Sequence, residues 1–261
     1  MAGQNTSSTR NVAAPRRFFR FAAPARFYAL AGTLIPLCWL LALGLTAAGL
    51  YMGFFVAPTD ATQGDVYRII FIHVPTAWMS MLLYLVMAFW AGIGWAFNAR
   101  MASVLARAIA PTGAMFAFLA LWTGAFWGKP TWGTYWVWDA RLTTTLILLF
   151  LYLGYIALVN AIDDQRRADQ AGALLALVGS VNVPIIYFSV KWWNTLHQGA
   201  TISVTAAPKM ADTMLTAMLL MTVACWAYAF AVVFMRARAM ALERDAHAGW
   251  VAALARGRIA G

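Results

Sequence analysis

An all-α membrane protein, built as a bundle of six membrane-spanning helices, is the fold class that the sequence predicts. Apolar residues make up 63% of the 261-residue chain, against 19 basic and 9 acidic side chains. The charges leave six long uncharged runs, each reaching roughly the 20 residues that a helix needs to cross a hydrocarbon core of about 30 Å. Strands of a membrane barrel would be about half as long and would alternate in polarity. This composition excludes a water-soluble globule.

The six runs, in chain order, are the predicted spans. They cover residues 27–59, 69–99, 108–128, 142–162, 170–190 and 213–235, and the second contains His73. The first run is too long for the apolar core of a signal peptide and no convincing cleavage site closes it, so we expect it to remain as an anchor. Prolines at positions 36, 111 and 184 predict kinks within their spans.

The spans divide the chain into three regions. Residues 1–26 are predicted to be a cytoplasmic tail, partly disordered because Ser, Thr, Asn and Gln dominate before about Arg16. Residues 27–235 form the six-span domain, and residues 236–261 form a cytoplasmic C-terminal tail.

The basic residues predict the orientation of these spans. Arg10, Arg16, Arg17, Arg20 and Arg26 precede the first span, Arg100 and Arg107 lie in the second loop, Arg166 and Arg167 lie in the fourth, and Arg236, Arg238, Arg244, Arg256 and Arg258 follow the last span. The other basic residues, in or beside the first, third and fifth loops, are Arg68, Lys129, Arg141, Lys191 and Lys209. Because cytoplasmic loops carry the excess of Lys and Arg, both termini are predicted to be cytoplasmic and the odd-numbered loops external. Topology thus explains the net charge of +10, and nucleic-acid binding is not expected.

The sequence lacks the motifs that several kinds of chemistry require. Cys38 and Cys225 lie deep within spans and form no C-x-x-C pair, which argues against thiol redox chemistry and covalent haem attachment to this chain. The sequence contains neither G-x-x-x-x-G-K-[ST] nor H-E-x-x-H, so ATP hydrolysis and zinc proteolysis are not supported. A binding or transport protein is favoured over a classical enzyme.

The unusual residues lie instead on the predicted outer side. His73 stands just before Pro75 at the start of the second span, and His197 lies in the fifth loop, in the stretch VKWWNTLHQ. The third loop carries WGTYWVWDARLT, part of a tryptophan-rich external segment at about residues 122–143 that is not expected to be one straight helix. Its indoles are Trp122, Trp127, Trp132, Trp136 and Trp138.

Two imidazoles on one face of a helical bundle, with flat aromatic side chains between them, are suited to haem. Iron accepts neutral imidazole nitrogens as axial ligands, and aromatic rings can cover the apolar porphyrin faces. The propionates need cations, and Arg68, Lys129, Arg141 and Lys191 are the external candidates. Zinc or copper would need a third or fourth ligand at close spacing, and apart from the weakly placed Asp139 none is evident.

Simpler interpretations stay open at this point. Tryptophan and tyrosine are enriched at membrane interfaces, so any single indole can be an anchor, although five between Trp122 and Trp138 exceed what one hairpin needs. Either histidine can be a helix cap rather than a ligand. A structural role for Asp139, as the cap of the fourth span or in an ion pair with Arg141, is favoured over a catalytic one.

The signature formed by Trp132, Gly133, Trp136, Trp138, Asp139, Arg141, Leu142 and Thr143 resembles the tryptophan-rich (WWD) signature of the haem-handling superfamily of cytochrome c assembly. The six-span length, FIHVP around His73 and VNVPIIYFSVKWWNTLHQ around His197 are similar to the CcmC, or haem exporter protein C, family within it. The likeness extends from about residue 30 to residue 235.

This resemblance implies a concrete role. His73 and His197 would be the axial ligands of a non-covalently bound haem b, carried as cargo on the periplasmic side of a bacterial inner membrane. Trp132, Trp136, Trp138, Asp139 and Arg141 would form the presenting surface, with Trp122 and Trp127 extending it. The implied partners are a membrane-anchored chaperone of the CcmE type, an ATPase and a permease of the CcmA and CcmB types, a small single-span protein of the CcmD type, and membrane lipid.

Two other functions remain as rivals. The permease subunit of an ABC haem exporter is the alternative, although such a subunit needs a cytoplasmic surface for an ATPase and the unusual residues here are external. A quinone-linked membrane cytochrome needs histidines within its spans and more than one haem, whereas only two external histidines are available.

Overall fold

The computed structural model describes residues 23–197 and 210–257. Within them, six helical segments are long and apolar enough to cross a membrane: Pro24–Val56, Asp65–Phe97, Arg100–Trp132, Ala140–Ala161, Gln165–Trp192 and Asp212–Arg244. No strand forms in these two ranges, where a single isolated bridge joins Asp60 and Gly64. The predicted all-α, six-span fold class is confirmed. Most of the predicted N-terminal tail, Lys209 and Arg258 lie outside the described residues.

The described residues form eight α-helices. They are α1 (Pro24–Tyr51), α2 (Ile70–Phe97), α3 (Arg100–Trp132), α4 (Ala140–Ala161), α5 (Gln165–Gly179), α6 (Asn182–Trp192), α7 (Asp212–Arg244) and α8 (Gly249–Ala255). A π-helical turn, Met52–Val56, extends α1, and a 3₁₀ turn, Asp65–Ile69, leads into α2. Each predicted span therefore corresponds to a helix or a pair of helices.

Several helices continue past the apolar runs that predicted them. The helix α3 passes Lys129 and ends at Trp132, where Gly133 adopts φ 80° and its N–H caps the carbonyl of Lys129. The helix α7 continues beyond position 235 to Arg244. Lys and Arg are good helix formers, so a charge ends an apolar run without ending the helix.

The fifth span is interrupted. The helix α5 ends at Gly179 and α6 begins at Asn182, with 3₁₀-type bonds from Val181 and Val183 across the junction. Pro184 lies in the first turn of α6 and has no N–H to give to the carbonyl of Ser180 four residues earlier. Pro36 and Pro111, which also predicted kinks, lie inside α1 and α3.

The bundle is organised around α3. Its most apolar stretch is 61% buried, against 11% for that of α1. The helix α3 packs most extensively on α2, α1 packs on α7, and α4 to α6 cover the other side of α2 and α3. Most of the large exposed side chains of α1 are apolar, among them Leu37, Leu40 and Leu43, as expected for a helix that faces lipid.

Two ends of the bundle differ in chemistry. At the end where the even loops meet, Asp169 accepts hydrogen bonds from Arg107 at 2.8 Å and Arg244 at 2.9 Å, which ties α3, α5 and α7 together. At the other end lie residues 57–64, 133–139 and 193–197, which we call the odd-loop end. The candidate site lies there.

Candidate functional site

An open cavity of about 790 Å³, a volume that includes space open to solvent, lies at the odd-loop end. Its lining comes from α2, α3, α4, α6 and the third and fifth loops: His73, Ala77, Ser80, Met81, Ala120, Leu121, Gly124, Ala125, Trp127, Gly128, Thr131, Trp132, Trp136, Arg141, Leu142, Thr145, Ile186 and His197.

His73 forms the buried wall of this cavity. It lies in the first turn of α2, one residue after Ile72, and its side chain points toward α3. The Nδ1 atom is 3.1 Å from the hydroxyl oxygen of Thr123, and the ring meets that of Trp127 edge-on at 5.6 Å between centroids. The ring also passes close to Gly124, where an added Cβ would lie 3.0 Å from Cε1. The imidazole is therefore held by one turn of α3.

His197 lies opposite, on the non-helical segment that follows α6. The centroids of the two imidazole rings are 6.2 Å apart, with an interplanar angle of 36°. A bond from a transition metal to imidazole nitrogen is about 2 Å long. Because each ring centre lies roughly 1 Å behind its nitrogen, two imidazoles on opposite sides of one iron have centroids about 6 Å apart. The observed separation is compatible with a shared iron.

Three of the predicted tryptophans line the cavity. Trp127 and Trp132 come from the last turns of α3, and Trp132 lies 6.2 Å from His197 between ring centroids. The indole N–H of Trp127 donates to Oε1 of Gln63 in the first loop at 2.7 Å. Trp136 lies in the segment between α3 and α4, and its buried Nε1 has no acceptor among the described residues. These rings form an aromatic wall of the cavity.

Trp122 and Trp138 do not line the cavity. Trp122 contacts Phe118 and Phe126 on the exposed side of α3, where 54% of it is accessible. Trp138 is 78% accessible and packs edge-on against Trp136 at 5.4 Å. The segment expected to be an external loop is in fact helical up to Trp132, because its glycines pack within α3 and Pro130 removes only one hydrogen bond near the helix end.

Asp139 has the structural role that the sequence favoured. It is the N-cap of α4, and its Oδ1 accepts from the backbone N–H of Leu142 at 2.8 Å. It makes no ion pair with Arg141 among the salt bridges of the described residues. Arg141 instead lines the cavity, where its one hydrogen bond to the described protein is a long contact of 3.5 Å to the carbonyl of Ile186.

The other external basic residues have different surroundings. Arg68 donates to the carbonyls of Gly53 and Ala57 and pairs with Asp65 at 3.0 Å, so it joins the end of the first span to the first loop. Lys129 reaches the carbonyl of Gly133, and Lys191 lies over the ring of Phe188. None of these three lines the cavity, and Arg141 is the lining cation among the residues that the structure describes.

Some contributors to the site were not expected from the sequence. Thr123 and Gly124 contact His73, Gln63 binds Trp127, and Ser80 and Thr145 line the cavity. The helical repeat offers a partial signal, since Ala77, Ser80 and Met81 follow His73 at the i+4, i+7 and i+8 positions of one helix face. The contact between Gln63 and Trp127 spans 64 residues and has no local signal.

Most of the chain is similar to known proteins. Residues 17–252 match the family model described as Heme exporter protein C. The protein of that name from Escherichia coli K12 is 52% identical over 182 residues, which are 70% of this chain and 74% of the relative. The one from Haemophilus influenzae is 44% identical over 90% of this chain and 96% of the relative. A putative cytochrome c biosynthesis ccmC-like mitochondrial protein from Marchantia polymorpha is 44% identical over 72% of this chain and 77% of the relative.

Proposed function

The chain belongs to the Heme exporter protein C family, and from that membership and the cavity at the odd-loop end we propose that it binds haem there and delivers it during cytochrome c biogenesis. His73 and His197 bind the iron, and haem is cargo that is handed on rather than a resident cofactor. The receiver is a membrane-anchored haem chaperone of the CcmE type.

The single observation that carries this proposal is the histidine pair. These two imidazoles come from α2 and from the segment after α6, more than a hundred residues apart in the chain, yet their centroids are 6.2 Å apart and both line a cavity with apolar and aromatic walls. Neutral imidazole is a ligand that haem iron accepts at both axial positions. Among the described residues, no group of three or more His, Cys, Asp or Glu side chains could hold a bare metal ion.

The polar groups of the cavity favour one orientation of the bound haem. Arg141 and the indole N–H of Trp136, which has no acceptor within the described part of the chain, both line it, and a carboxylate satisfies a guanidinium and an N–H at once. A propionate bound by these two groups removes the cost of leaving a buried donor unpaired. We therefore assign the propionate edge of haem to the side of the cavity formed by residues 136–141, which leaves other edges for transfer.

Delivery requires that haem remain reachable. The cavity is open, and Trp138 stands at its rim, exposed and packed on Trp136. Exposed indoles supply broad contact area with few rotatable bonds, which suits a surface that docks a partner transiently. The odd-loop end faces the periplasm of a bacterial inner membrane, and an ATPase and a permease of the CcmA and CcmB types and a small single-span protein of the CcmD type complete the assembly.

The experiment that tests haem binding is an absorption spectrum of the purified protein, oxidised and reduced. The parent protein should show a Soret band and the sharp reduced bands of six-coordinate haem with two imidazoles. His73→Ala and His197→Ala should each lose most of the haem, and added imidazole should restore part of it. His247→Ala removes an exposed histidine beyond α7 and is the matched control, with an expected full complement. Full haem content in both cavity variants would contradict the assignment.

A second experiment tests delivery, by measuring haem covalently bound to the co-expressed chaperone. Trp138→Ala should keep haem on this protein but lower transfer, since its indole lies at the rim and not in the cavity. Trp95→Ala, which removes an exposed indole elsewhere on α2, is the control and should leave transfer unchanged. Equal transfer by the parent protein and Trp138→Ala would show that the rim indole anchors the protein rather than docking the chaperone.

A purified protein that carried no haem and raised ATP turnover of an added ATPase partner would favour the permease alternative. The orientation of the protein in the membrane can be tested at positions 138 and 247. A cysteine in place of Trp138 should react with an impermeant maleimide added outside the cell, whereas a cysteine in place of His247 should not.

A further inference from the structure

Among the described residues, the side chain of Thr123 makes a hydrogen bond to the ring of His73 from the second half of the membrane-spanning helix α3. Its Oγ1 lies 3.1 Å from Nδ1 of the imidazole. Both side chains are buried. The contact joins α2 to α3 across 50 residues of sequence, beside the iron-binding position proposed above.

The hydroxyl has one proton, and its surroundings determine where that proton goes. Oγ1 of Thr123 lies 2.6 Å from the carbonyl oxygen of Leu119, one turn earlier on α3. A carbonyl can only accept, and a hydroxyl oxygen this close to a carbonyl oxygen needs its proton between them, since the usual O–H···O distance is about 2.7–2.8 Å. The hydroxyl is therefore a donor to Leu119 and an acceptor toward His73.

The imidazole must then be the donor of the second bond. If the hydroxyl oxygen accepts, Nδ1 of His73 carries the proton, and the 3.1 Å distance is within the range of an N–H···O bond, about 2.7–3.2 Å. A neutral imidazole has one N–H, so Nε2 keeps its lone pair. We infer that Thr123 is a positioning residue for haem binding, which holds His73 as the Nδ1–H tautomer and leaves Nε2 as the iron ligand; this rests on the proposed function.

The rest of the same helical turn supports the arrangement. Gly124 gives the ring room to approach α3, and Trp127 meets the ring edge-on at 5.6 Å. The backbone of Ala120, one turn before Gly124, also makes a hydrogen bond with the imidazole. The ring is thus oriented by hydrogen bonds to α3 and by contacts on its other sides before haem arrives. Outer hydrogen bonds of this kind fix the tautomer and orientation of a metal-binding histidine and raise the basicity of its other nitrogen.

The test compares Thr123→Val, Thr123→Ser and Thr222→Val. Valine keeps the shape of threonine and removes the acceptor, whereas serine keeps the hydroxyl. Thr222→Val is the matched control, because the hydroxyl of Thr222 also donates to a carbonyl one turn earlier, that of Met218, but Thr222 lies on α7 and does not line the cavity. Thermal unfolding of each haem-free variant establishes that the fold is retained.

The first measurement uses the haem-free protein with ¹⁵N-labelled histidine, since imidazole nitrogen shifts separate the two neutral tautomers. His73 should be the Nδ1–H tautomer in the parent protein, in Thr123→Ser and in Thr222→Val, and should change toward the Nε2–H tautomer in Thr123→Val. The second measurement is haem affinity, which should fall about 10- to 100-fold in Thr123→Val, the usual effect of losing such an outer contact. The reduction potential of the remaining haem should rise, because a less basic imidazole stabilises ferric iron less.

The outcomes separate the two proposals. An Nε2–H tautomer in the parent protein, or parental haem affinity in Thr123→Val, overturns the role of Thr123 while haem binding by the parent protein stands. A parent protein that binds no haem contradicts the proposed function itself, and with it the role given to Thr123.

Discussion

Replacing Gly124 with alanine should separate the stability of the protein from its ability to bind haem. Gly124 lies inside α3 directly against His73, and an added Cβ would lie 3.0 Å from Cε1 and 3.5 Å from Nδ1 of that ring. Ordinary van der Waals contact begins at 3.4 Å, so the ring must move by roughly 0.4 Å, the difference between 3.4 Å and 3.0 Å. The ring is the part that gives way, because the Cβ is fixed to the helix backbone.

This small displacement acts on a ring with little freedom. Thr123 binds its Nδ1 and Trp127 packs on its edge, so the movement comes at the expense of those contacts. Binding groups need to be held within about 0.5 Å of their productive positions. We expect haem affinity to fall about tenfold, or about 1.4 kcal/mol, at the lower end of the effect of disturbing a metal ligand's surroundings. Alanine is a better helix former than glycine by about 1 kcal/mol, so unfolding stability should be unchanged or higher.

Haem titration followed at the Soret band, together with thermal unfolding of the haem-free protein, measures both quantities. Gly44→Ala is the matched control, since Gly44 lies inside α1 with no atom within 4 Å of its added Cβ. It should gain stability in the same way and keep parental haem affinity. Parental affinity in Gly124→Ala would refute the reasoning, as would an equal loss in Gly44→Ala.

Two further changes test the walls of the site. Gln63→Met removes the acceptor of the Trp127 indole and should raise the haem dissociation rate about fivefold, which corresponds to a hydrogen bond of about 1 kcal/mol. Gln63→Glu keeps an acceptor, so it should bind haem as the parent protein does. Stopped-flow transfer of haem to an apo-globin measures this rate, and equal rates for the two variants would contradict the prediction. Asp139→Ala removes the cap of α4 and should lower the free energy of unfolding by about 1 kcal/mol. Asp139→Asn keeps an accepting oxygen, so it should lower that free energy by only a few tenths of a kcal/mol. Denaturation in detergent measures both losses, and an equally large loss in Asp139→Asn would show that the charge of Asp139 matters rather than its hydrogen bond.

Much of the architecture could be predicted because the bilayer imposes it. A helix that crosses hydrocarbon needs about 20 apolar residues, and this rule places all six spans from the sequence. The aspartate that starts α4 also has a local signature, since a carboxylate before an apolar helix is a good N-cap. The break in the fifth span was less certain, because a proline in that run predicts a kink but not two separate helices.

The candidate site was predicted less completely, for a geometric reason. Five tryptophans close together in sequence cannot all face one cavity when three of them lie on α3, where neighbouring positions turn by 100° per residue. Trp127 and Trp132 face inward, and Trp122 faces outward. Arg68 and Arg141 were equivalent in sequence as external cations, but only Arg141 lines the cavity, because Arg68 has three partners in and beside its own loop.

By itself, the sequence determined the number of spans, the class of membrane protein, and the histidines and indoles that are candidates for binding haem, since these depend on composition and on short local patterns. Only the tertiary structure decided which of them share a cavity, with the ring centroids of His73 and His197 6.2 Å apart. It also decided that Thr123 and Gln63 form hydrogen bonds with the lining residues His73 and Trp127. Those facts depend on the rotation of each helix about its axis and on contacts between residues at least 50 positions apart. A pattern within one span has no information about them.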